Sequence, residues 1–193
     1  MGKIYCLMGK SATGKDTVYR ELLKVLPELR TYVMYTTRPM RENEKEGSSY
    51  FFTDGDHISS LRAEGKIIES RTYDTVFGPW TYATVDDGQI DLSKGDYLMP
   101  GTLESFFDLR KYYGEEKVLP VYIETDDRER LQRAINRETA INGPGYGEIC
   151  RRFLSDEKDF SEENLKKAGI GRRFENDDLG RCVMEIRDYI LEN

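Results

Sequence analysis

The sequence predicts a three-layer α/β sandwich in which a central parallel sheet is interrupted by a smaller mixed α+β lobe. A short apolar run at 3–8 leads through a glycine-bounded loop into 17–26, whose apolar positions recur at helical spacing. Residues 31–35 read as a second strand, and the crossover is short enough to predict parallel neighbours. From 36 to about 88 hydroxyl, tyrosine and charged side chains dominate, before helices and strands alternate again. This order of segments is typical of α/β proteins.

The stretch 36–88 predicts a small, partly antiparallel lobe inserted into the sheet. Its strand-like runs and its one helix are expected at 49–52, 66–69, 80–85 and 56–64. The remaining parts are a core, 1–35 and 89–193, and a lid at about 133–155. The whole chain is predicted to form one domain with these three parts.

The core resumes after the inserted lobe. Strands are predicted at 96–99 and 117–123, and Pro120 favours an edge position or a bulge for the second. The predicted helices are 103–113, 126–137, 148–160, 161–167 with the capping residue Ser161, and a last one that begins at 176–178. The last helix should bury Leu179, Val183, Ile186 and Ile190. Residues 139–147, with three glycines and a proline, predict a mobile connection.

Composition excludes several classes of function. A net charge of −7 and a pI near 5.0 argue against general nucleic-acid binding, although a local basic pocket is expected. We expect no membrane span and no secretory leader. Three scattered cysteines indicate a reduced, cytoplasmic chain without a disulfide framework or zinc site. With His57 as the one histidine, Ser-His triads and His-based metal sites are close to excluded, and a homodimer stays open.

The loop after the first strand has the pattern of a phosphate-binding P-loop. Gly9 and Gly14 allow the backbone to turn its amides inward, and Lys15 can reach the β- and γ-phosphates of a nucleotide. Asp16 stands where a serine or threonine hydroxyl normally contacts magnesium, so it is the candidate metal ligand. The candidate donor-binding residues of the loop are Gly9, Ser11, Ala12, Thr13, Gly14, Lys15, Asp16 and Thr17. The alternative is an ordinary strand-to-helix turn that contains two glycines.

A pair of arginines follows the second predicted strand. Arg38 and Arg41 lie beside hydroxyl side chains at the carboxyl end of that strand, where parallel sheets bind ligands. Two guanidinium forks at this spacing suit one phosphate group. The alternative is a solvated pair that is neutralised by Glu42 and Glu44.

A second basic group lies near the glycine-rich connection. Its members are Arg130, Arg133, Arg137, Arg151 and Arg152. The first three are spaced to share one helix face, so they are candidates for a lid that closes over a phosphoryl group during transfer. The alternative is a solvated helix face that pairs with Asp127, Glu129 and Glu138.

Taken together, these residues resemble the guanylate kinases, a family of nucleoside monophosphate kinases. Residues 36–41 are similar to the family's T-T-R-x-x-R, and Glu44 with 47–52 to its E-x-x-G-x-x-Y-x-F stretch. Further similarities are Ile68-Glu69 to F-I-E, Tyr82-Ala83-Thr84 to Y-G-T/S, the lid arginines, and 176–179 to N-D-D-L. The resemblance covers nearly the whole chain, and the arginine motif is its most specific part.

The resemblance implies a P-loop kinase fold and magnesium-dependent transfer from ATP to a nucleoside monophosphate, with GMP as the first candidate. The residues that it implies for acceptor binding are Arg38, Arg41, Glu44, Tyr50, Glu69, Tyr82 and Thr84, with Glu69 accepting from the guanine ring; Glu104 joins them as a candidate in place of a family aspartate. It implies that the migrating phosphoryl group is stabilised by Lys15, Arg133, Arg137 and Arg152. It places Asn176 near the adenine of the donor.

The sequence also departs from the family pattern. Met34 stands in place of a base-recognising serine, and the strand end at 99–104 lacks two expected aspartates. Thr102 or Glu104 is the candidate substitute, and Asp16 the candidate compensation for the lost negative charge. Two other functions therefore stay open: a kinase for a different small phosphorylated acceptor, and a catalytically silent guanylate-kinase-like binding module. The intact lysine and arginines argue against the silent module.

Overall fold

The computed structural model describes residues 1–75, 78–141 and 145–193. Along the chain its elements are β1 (Ile4–Gly9), α1 (Lys15–Val25), β2 (Tyr35–Thr36), β3 (Phe51–Phe52), α2 (Gly55–Ala63), β4 (Ile67–Thr75), β5 (Gly78–Val85), β6 (Tyr97–Pro100), α3 (Leu103–Tyr113), β7 (Val118–Glu124), α4 (Asp127–Ile141), α5 (Tyr146–Asp159), α6 (Glu162–Lys167), β8 (Arg173–Glu175) and α7 (Leu179–Glu192). Among the described residues, no helix is long and apolar enough to cross a membrane.

The central sheet is parallel, as predicted, with strand order β6-β1-β7-β8. Every residue of β1 is buried, and successive side chains point to opposite faces of the sheet. Cys6 and Met8 pack in a cluster with side chains of α3 and α6, whereas Tyr5 and Leu7 pack in a second cluster with side chains of α1 and α7. The fold is therefore a three-layer α/β sandwich.

A second sheet of order β3-β2-β5-β4 forms the mixed lobe. Strands β4 and β5 pair antiparallel, and β2 pairs parallel to β3 but antiparallel to β5. Helix α2 covers one face of this sheet, where Ile58 and Leu61 pack against Ala83 and Val85. The other face carries the polar side chains described below.

The prediction that 31–35 form a parallel neighbour of β1 is wrong. The neighbours of β1 are β6 and β7, and of the predicted segment only Tyr35 is in a strand, in the second sheet. The physical reason is a long-range contact: the Gln89 side-chain amide accepts from the backbone N–H of Val33 at 2.9 Å and donates to the Val33 carbonyl at 3.1 Å. This side chain therefore takes the place of a strand partner.

The position of Pro120 also differs from the prediction, because β7 lies inside the sheet. Ile4 N donates to the carbonyl of Lys117, so alternate residues of β7 turn their backbone groups toward β1 and Pro120 turns its nitrogen away from it. On that other side β8 begins to pair only at Tyr122. The proline thus lies beyond the end of the neighbouring strand, where its missing N–H breaks no ladder bond.

Three further details differ from the prediction: the end of one helix, one buried position of α7 and one strand. Helix α4 continues past Arg137 to Ile141, so the expected connection is shorter; residues 142–144 of it lie outside the described part of the chain. Leu179 is 38% exposed, and the apolar position that α7 buries instead is Cys182. Strand β8 was not predicted, because three residues with one buried side chain, Phe174, give little alternation.

Candidate active site

The P-loop connects β1 to α1 at the carboxyl edge of the parallel sheet. Gly14 opens α1 in the left-handed conformation at φ +86°, and Ala12 adopts φ +63°, which is uncommon for a residue with a Cβ. A Cβ on Gly9 would lie 2.8 Å from the carbonyl oxygen of Ile123. The loop backbone therefore adopts left-handed conformations that most residues avoid, and it packs closely against β7.

Three side chains fix the P-loop by donating hydrogen bonds to the backbone carbonyl of Thr13. This oxygen accepts from the side-chain amide of Asn176 at 2.7 Å, from Thr125 Oγ1 at 3.3 Å and from Arg133 Nη1 at 3.4 Å. Asn176 is 4% exposed, and its own carbonyl accepts from Arg133 Nη2 at 2.9 Å. Asn176 and Arg133 are thus brought together under the loop, where they support its backbone.

Lys15 and Asp16 begin the helix that follows the loop. Burial lowers the pKa of Lys15, the neighbouring Asp16 carboxylate opposes that change, and the positive charge of Arg71 adds to it. Within the described residues the Lys15 ammonium has neither an ion pair nor a hydrogen bond, and the Asp16 side chain is exposed. Lys15 is partly buried, and a cation without a partner in such a position is suited to an incoming anion.

The residues present can hold magnesium only with help from a substrate. The described part of the chain has no group of three or more histidine, cysteine, aspartate or glutamate side chains that could hold a metal ion. Mg²⁺ is commonly bound by one or two carboxylates together with water and substrate phosphates. Asp16 can supply one such carboxylate beside the P-loop, so the site fits a metal that arrives with a nucleotide.

A second cationic centre lies on the mixed lobe. Arg38 is 3% exposed; its Nε donates to Tyr82 OH at 3.1 Å, and both terminal nitrogens donate to Glu44, at 2.6 and 3.0 Å. The Arg38 hydrogen bonds are the main reason why the pKa of Glu44 is lowered. The Tyr50 ring lies 5.3 Å from the guanidinium carbon, whereas Arg41 is exposed and donates only its backbone N–H to Glu44. Arg38 is thus the fixed member of the predicted pair.

Glu69 and Thr84 face each other across the β4–β5 hairpin. Glu69 is 3% exposed and accepts from Thr84 Oγ1 at 2.8 Å, while Tyr32 OH lies 3.0 Å from the same hydroxyl. Burial raises the pKa of Glu69, and the positive charge of Arg71 lowers it by a smaller amount. The buried Glu69 carboxylate is therefore a candidate to accept a hydrogen bond from a base.

Sequence reasoning missed Arg71. Its Nη1 donates to Thr102 Oγ1 at 3.0 Å, and its Nε lies 3.3 Å from Glu69 Oε2 without forming a hydrogen bond. Thr102 is the N-cap of α3, whereas Glu104 is exposed in the first turn of that helix, near enough to Glu69 to raise its pKa. The signal that could have found Arg71 is the spacing Glu69-Arg71-Tyr73, which puts it on the polar face of a strand.

The predicted lid arginines differ in what they contact. Arg130 is 1% exposed and is held by Asp127 at 2.6 Å, Glu157 at 2.9 Å and the carbonyl of Ser11 at 3.2 Å. Arg152 pairs with Glu148 at 2.7 Å, and together with Arg137 it lines a cleft between α4 and α5. Hydrogen bonds from Arg151 and Arg152 lower the pKa of Glu148 to about 2.

Helix α5 also contacts the P-loop directly, which the sequence did not predict. Asp156 Oδ2 accepts from the backbone N–H of Ser11 at 2.7 Å, and Glu157 pairs with Lys10 at 2.6 Å. An amide of the loop is therefore capped by a carboxylate in this structure. The remaining loop residue, Thr17, lies inside α1, with its N–H bonded to the carbonyl of Gly14.

Comparison with known proteins agrees with this arrangement. The family model "Guanylate kinase" matches residues 1–90. Guanylate kinases of Legionella pneumophila (strain Lens) and Chlorobaculum tepidum are 26% and 27% identical to the chain, over 100% and 99% of it and over 87% and 93% of their own lengths. The crystal structure of guanylate kinase from Anaplasma phagocytophilum has the same fold, with a TM-score of 0.70 and 22% identity over 99% of this chain and 85% of that one. Residues 1–90 therefore match the family model, and the chain over its whole length is similar to guanylate kinases in sequence and in fold.

Proposed function

We propose that this protein transfers the terminal phosphoryl group of ATP to GMP. An oxygen of the GMP phosphate forms a bond to the γ-phosphorus, the bond between that phosphorus and the β,γ-bridging oxygen breaks, and ADP and GDP leave. The observation that supports this proposal is the presence of two cationic centres: the P-loop with Lys15, and buried Arg38 with Tyr82. The hairpin strand opposite Tyr82 is connected to the core by the hydrogen bond from Arg71 to Thr102, which follows β6, the strand next to β1.

The donor is proposed to bind at the P-loop. Backbone N–H groups of 11–17 and the N-terminus of α1 would hold its phosphates, and Lys15 would contact the β- and γ-phosphates. The cleft next to the loop, which includes Thr13, Thr125 and Asn176, is the proposed site of the ribose and adenine, and the Asn176 amide, which already donates to Thr13, is proposed to hold the loop there and not to bond the base. When magnesium is bound, it supplies charge neutralisation of the phosphates, with Asp16 as its protein ligand.

The acceptor is proposed to bind on the mixed lobe. Arg38, Arg41, Tyr50 and Tyr82 would hold its phosphate, and Glu44 would be displaced from the Arg38 fork or shared with it. Glu69, supported by Thr84, would accept from the guanine ring. Transfer then depends on positioning and on the cations that surround the migrating group, because a loose transition state spreads its charge over three oxygens.

We further propose that the chain works as a core at 1–35 and 89–193, an acceptor lobe at about 36–88 and a lid at about 133–155. In this proposal Arg133, Arg137 and Arg152 of the lid stabilise the migrating phosphoryl group. Three free cysteines are in keeping with a reducing compartment, so we infer a cytoplasmic enzyme. The formation of a homodimer stays a prediction.

One observation favours a second candidate function, transfer to a different phosphorylated acceptor. Met34 has no hydrogen-bonding group for a guanine oxygen, and the end of β6 at Pro100, Gly101 and Thr102 carries no carboxylate for the base. Phosphate recognition is therefore better supported by the residues present than guanine recognition. Glu104 is exposed in the first turn of α3, two residues after Thr102, and is the proposed substitute.

The test is a panel assay with a matched control. The protein is incubated with ATP, magnesium and each of GMP, dGMP, AMP, CMP and UMP, and both ADP release and the diphosphate product are measured. Turnover with GMP supports the proposal, turnover with another acceptor supports the second candidate, and binding without turnover indicates a silent binding module. Lys15→Met should remove turnover while GMP still binds, whereas the exposed Lys24→Met should change neither.

A further inference from the structure

Arg71 is the strongest unexplained group in the molecule. The side chain is 15% exposed, although it carries a permanent positive charge, and its Nε is buried without a hydrogen bond in the described part of the chain. Its one carboxylate neighbour, Glu69, lies 3.3 Å from that Nε, and one neutral bond to Thr102 uses Nη1. A guanidinium group has five N–H donors, so most of its donor capacity is left for something else.

The sheet register puts Arg71 between the two cationic centres. Arg71 lies directly opposite Tyr82 in the β4–β5 ladder, and paired residues of antiparallel strands project from the same face. Tyr82 in turn accepts from Arg38, so Arg71 shares a face with the proposed acceptor site. Its bond to Thr102 carries it from that face to the carboxyl end of β6, beside the edge from which the P-loop begins.

The bond to Thr102 also brings Arg71 toward the donor side. Gly101, the residue before Thr102, donates its backbone N–H to the carbonyl of Leu7 at 3.0 Å, and Leu7 lies two residues before the P-loop begins at Gly9. A cation with unused donors at this place suits a strongly charged anion that binds at the loop.

We propose that Arg71 is a further catalytic residue, which contacts the phosphoryl group in transfer between the two nucleotides. This inference rests on the proposed kinase function and adds a fixed cation that comes from the acceptor lobe and not from the lid. Arg71 would donate through its free N–H groups to oxygens of the migrating group, while Thr102 and Glu69 keep the guanidinium in place. A planar fork in a fixed position suits the three equatorial oxygens of that group.

The test compares Arg71→Met with Arg71→Lys and with the control Arg62→Met. Arg62 lies on α2 and donates to Ser70 Oγ, on the opposite face of the same strand, so it matches Arg71 in charge and neighbourhood. The ligands are GMP, ADP and a bisubstrate analogue in which guanosine and adenosine are joined by five phosphates. Their dissociation constants are measured by calorimetry, together with kcat, KM for GMP and the melting temperature.

The expected result is selective. Arg71→Met should weaken the pentaphosphate about 10- to 100-fold and lower kcat at least as much, while GMP and ADP alone change less than about 3-fold. Arg71→Lys should recover part of the pentaphosphate affinity, and Arg62→Met should match the wild type. If GMP binding falls as much as pentaphosphate binding, Arg71 acts only by orienting Glu69, and the proposal is overturned. Unchanged pentaphosphate affinity in both Arg71 variants also overturns it. Failure of the wild type to phosphorylate GMP would instead contradict the proposed function.

Discussion

Asn176 allows a sharp test of how the P-loop is held. Its side-chain amide donates to the Thr13 carbonyl at 2.7 Å, which makes it the shortest of the three hydrogen bonds that fix this carbonyl. We predict that Asn176→Ala loosens the loop, so that every ligand bound through its phosphates is affected alike. An adenine contact, which the family resemblance implies, would instead affect ATP alone.

The magnitude follows from the geometry. One buried hydrogen bond is worth about 0.5–1.5 kcal/mol net, and Thr13 keeps two longer donors, so its oxygen is not left unsatisfied. Removal of the amide atoms, which are packed against Gly14, adds a small cavity cost. A total of about 1–2 kcal/mol corresponds to a fall in melting temperature of roughly 2–8 °C for a chain of this size. The affinity for a phosphate ligand should fall by up to about 5- to 30-fold.

The assay is thermal unfolding together with calorimetric binding of ATP, GTP and inorganic tripolyphosphate. Asn164→Ala is the matched control, because that amide also donates to backbone carbonyls, those of Lys158 and Asp159, neither of which belongs to the loop. The control should lose some stability and keep all three affinities. An Asn176→Ala protein with the wild-type melting temperature, and with weaker binding of ATP only, would refute the argument.

Three other changes have expected outcomes. Arg130→Met should lower the free energy of unfolding, measured in urea, by about 2–4 kcal/mol, because three carboxylates lose a buried partner. The control Arg128→Met, at an exposed position, should lower it by less than about 0.5 kcal/mol. A loss below about 1 kcal/mol for Arg130→Met would contradict this prediction. Burial raises the pKa of Glu69, so wild-type stability should decline relative to Glu69→Gln as the pH rises from about 4.3, the unfolded value, through the higher folded pKa; parallel melting curves between pH 4 and 8 would contradict it. Gly14→Ala should lower the melting temperature and abolish ATP binding, because a Cβ there would lie 2.5 Å from the side-chain amide of Asn176. Gly65 also has a positive φ but lies in open space, so Gly65→Ala should lower the free energy of unfolding by only about 1–2 kcal/mol and keep ATP binding.

The parts that the sequence predicts well are those in which local signals and burial agree. Strand β1, the glycine-bounded loop and α1 follow from an apolar run, two glycines and helical spacing, and α3 was predicted over the residues that it occupies. The segment 31–35 failed because a distant side chain, Gln89, satisfies its backbone. No local pattern reports such a partner, so the error is one of tertiary structure and not of propensity.

The candidate site follows the same division. The phosphate-binding loop and Arg38 were recognisable because glycine spacing and paired arginines have a direct chemical meaning. Arg71 was not recognised, because an arginine in a polar hairpin reads as a solvated surface residue. Only the register of β4 against β5 and the bond to Thr102 turn it toward the cleft. Asp156 was missed for a similar reason, since its contact with Ser11 joins residues 145 positions apart.

Burial decides which lid arginines can take part in transfer. Arg130 is buried, pairs with three carboxylates and stacks on Phe153 at 4.8 Å, so moving it would break all of these contacts at once. Arg152 is about half exposed and pairs with the single carboxylate of Glu148, and exposed pairs of this kind are worth only about 0–1 kcal/mol. Phosphate oxygens can therefore replace Glu148 as the partner of Arg152 at little cost, whereas Arg130 has to stay where it fastens α4 and α5 to the P-loop. The lid should accordingly pivot about Arg130 and deliver Arg152, which makes the first a positioning residue and the second a candidate for contact with the substrate.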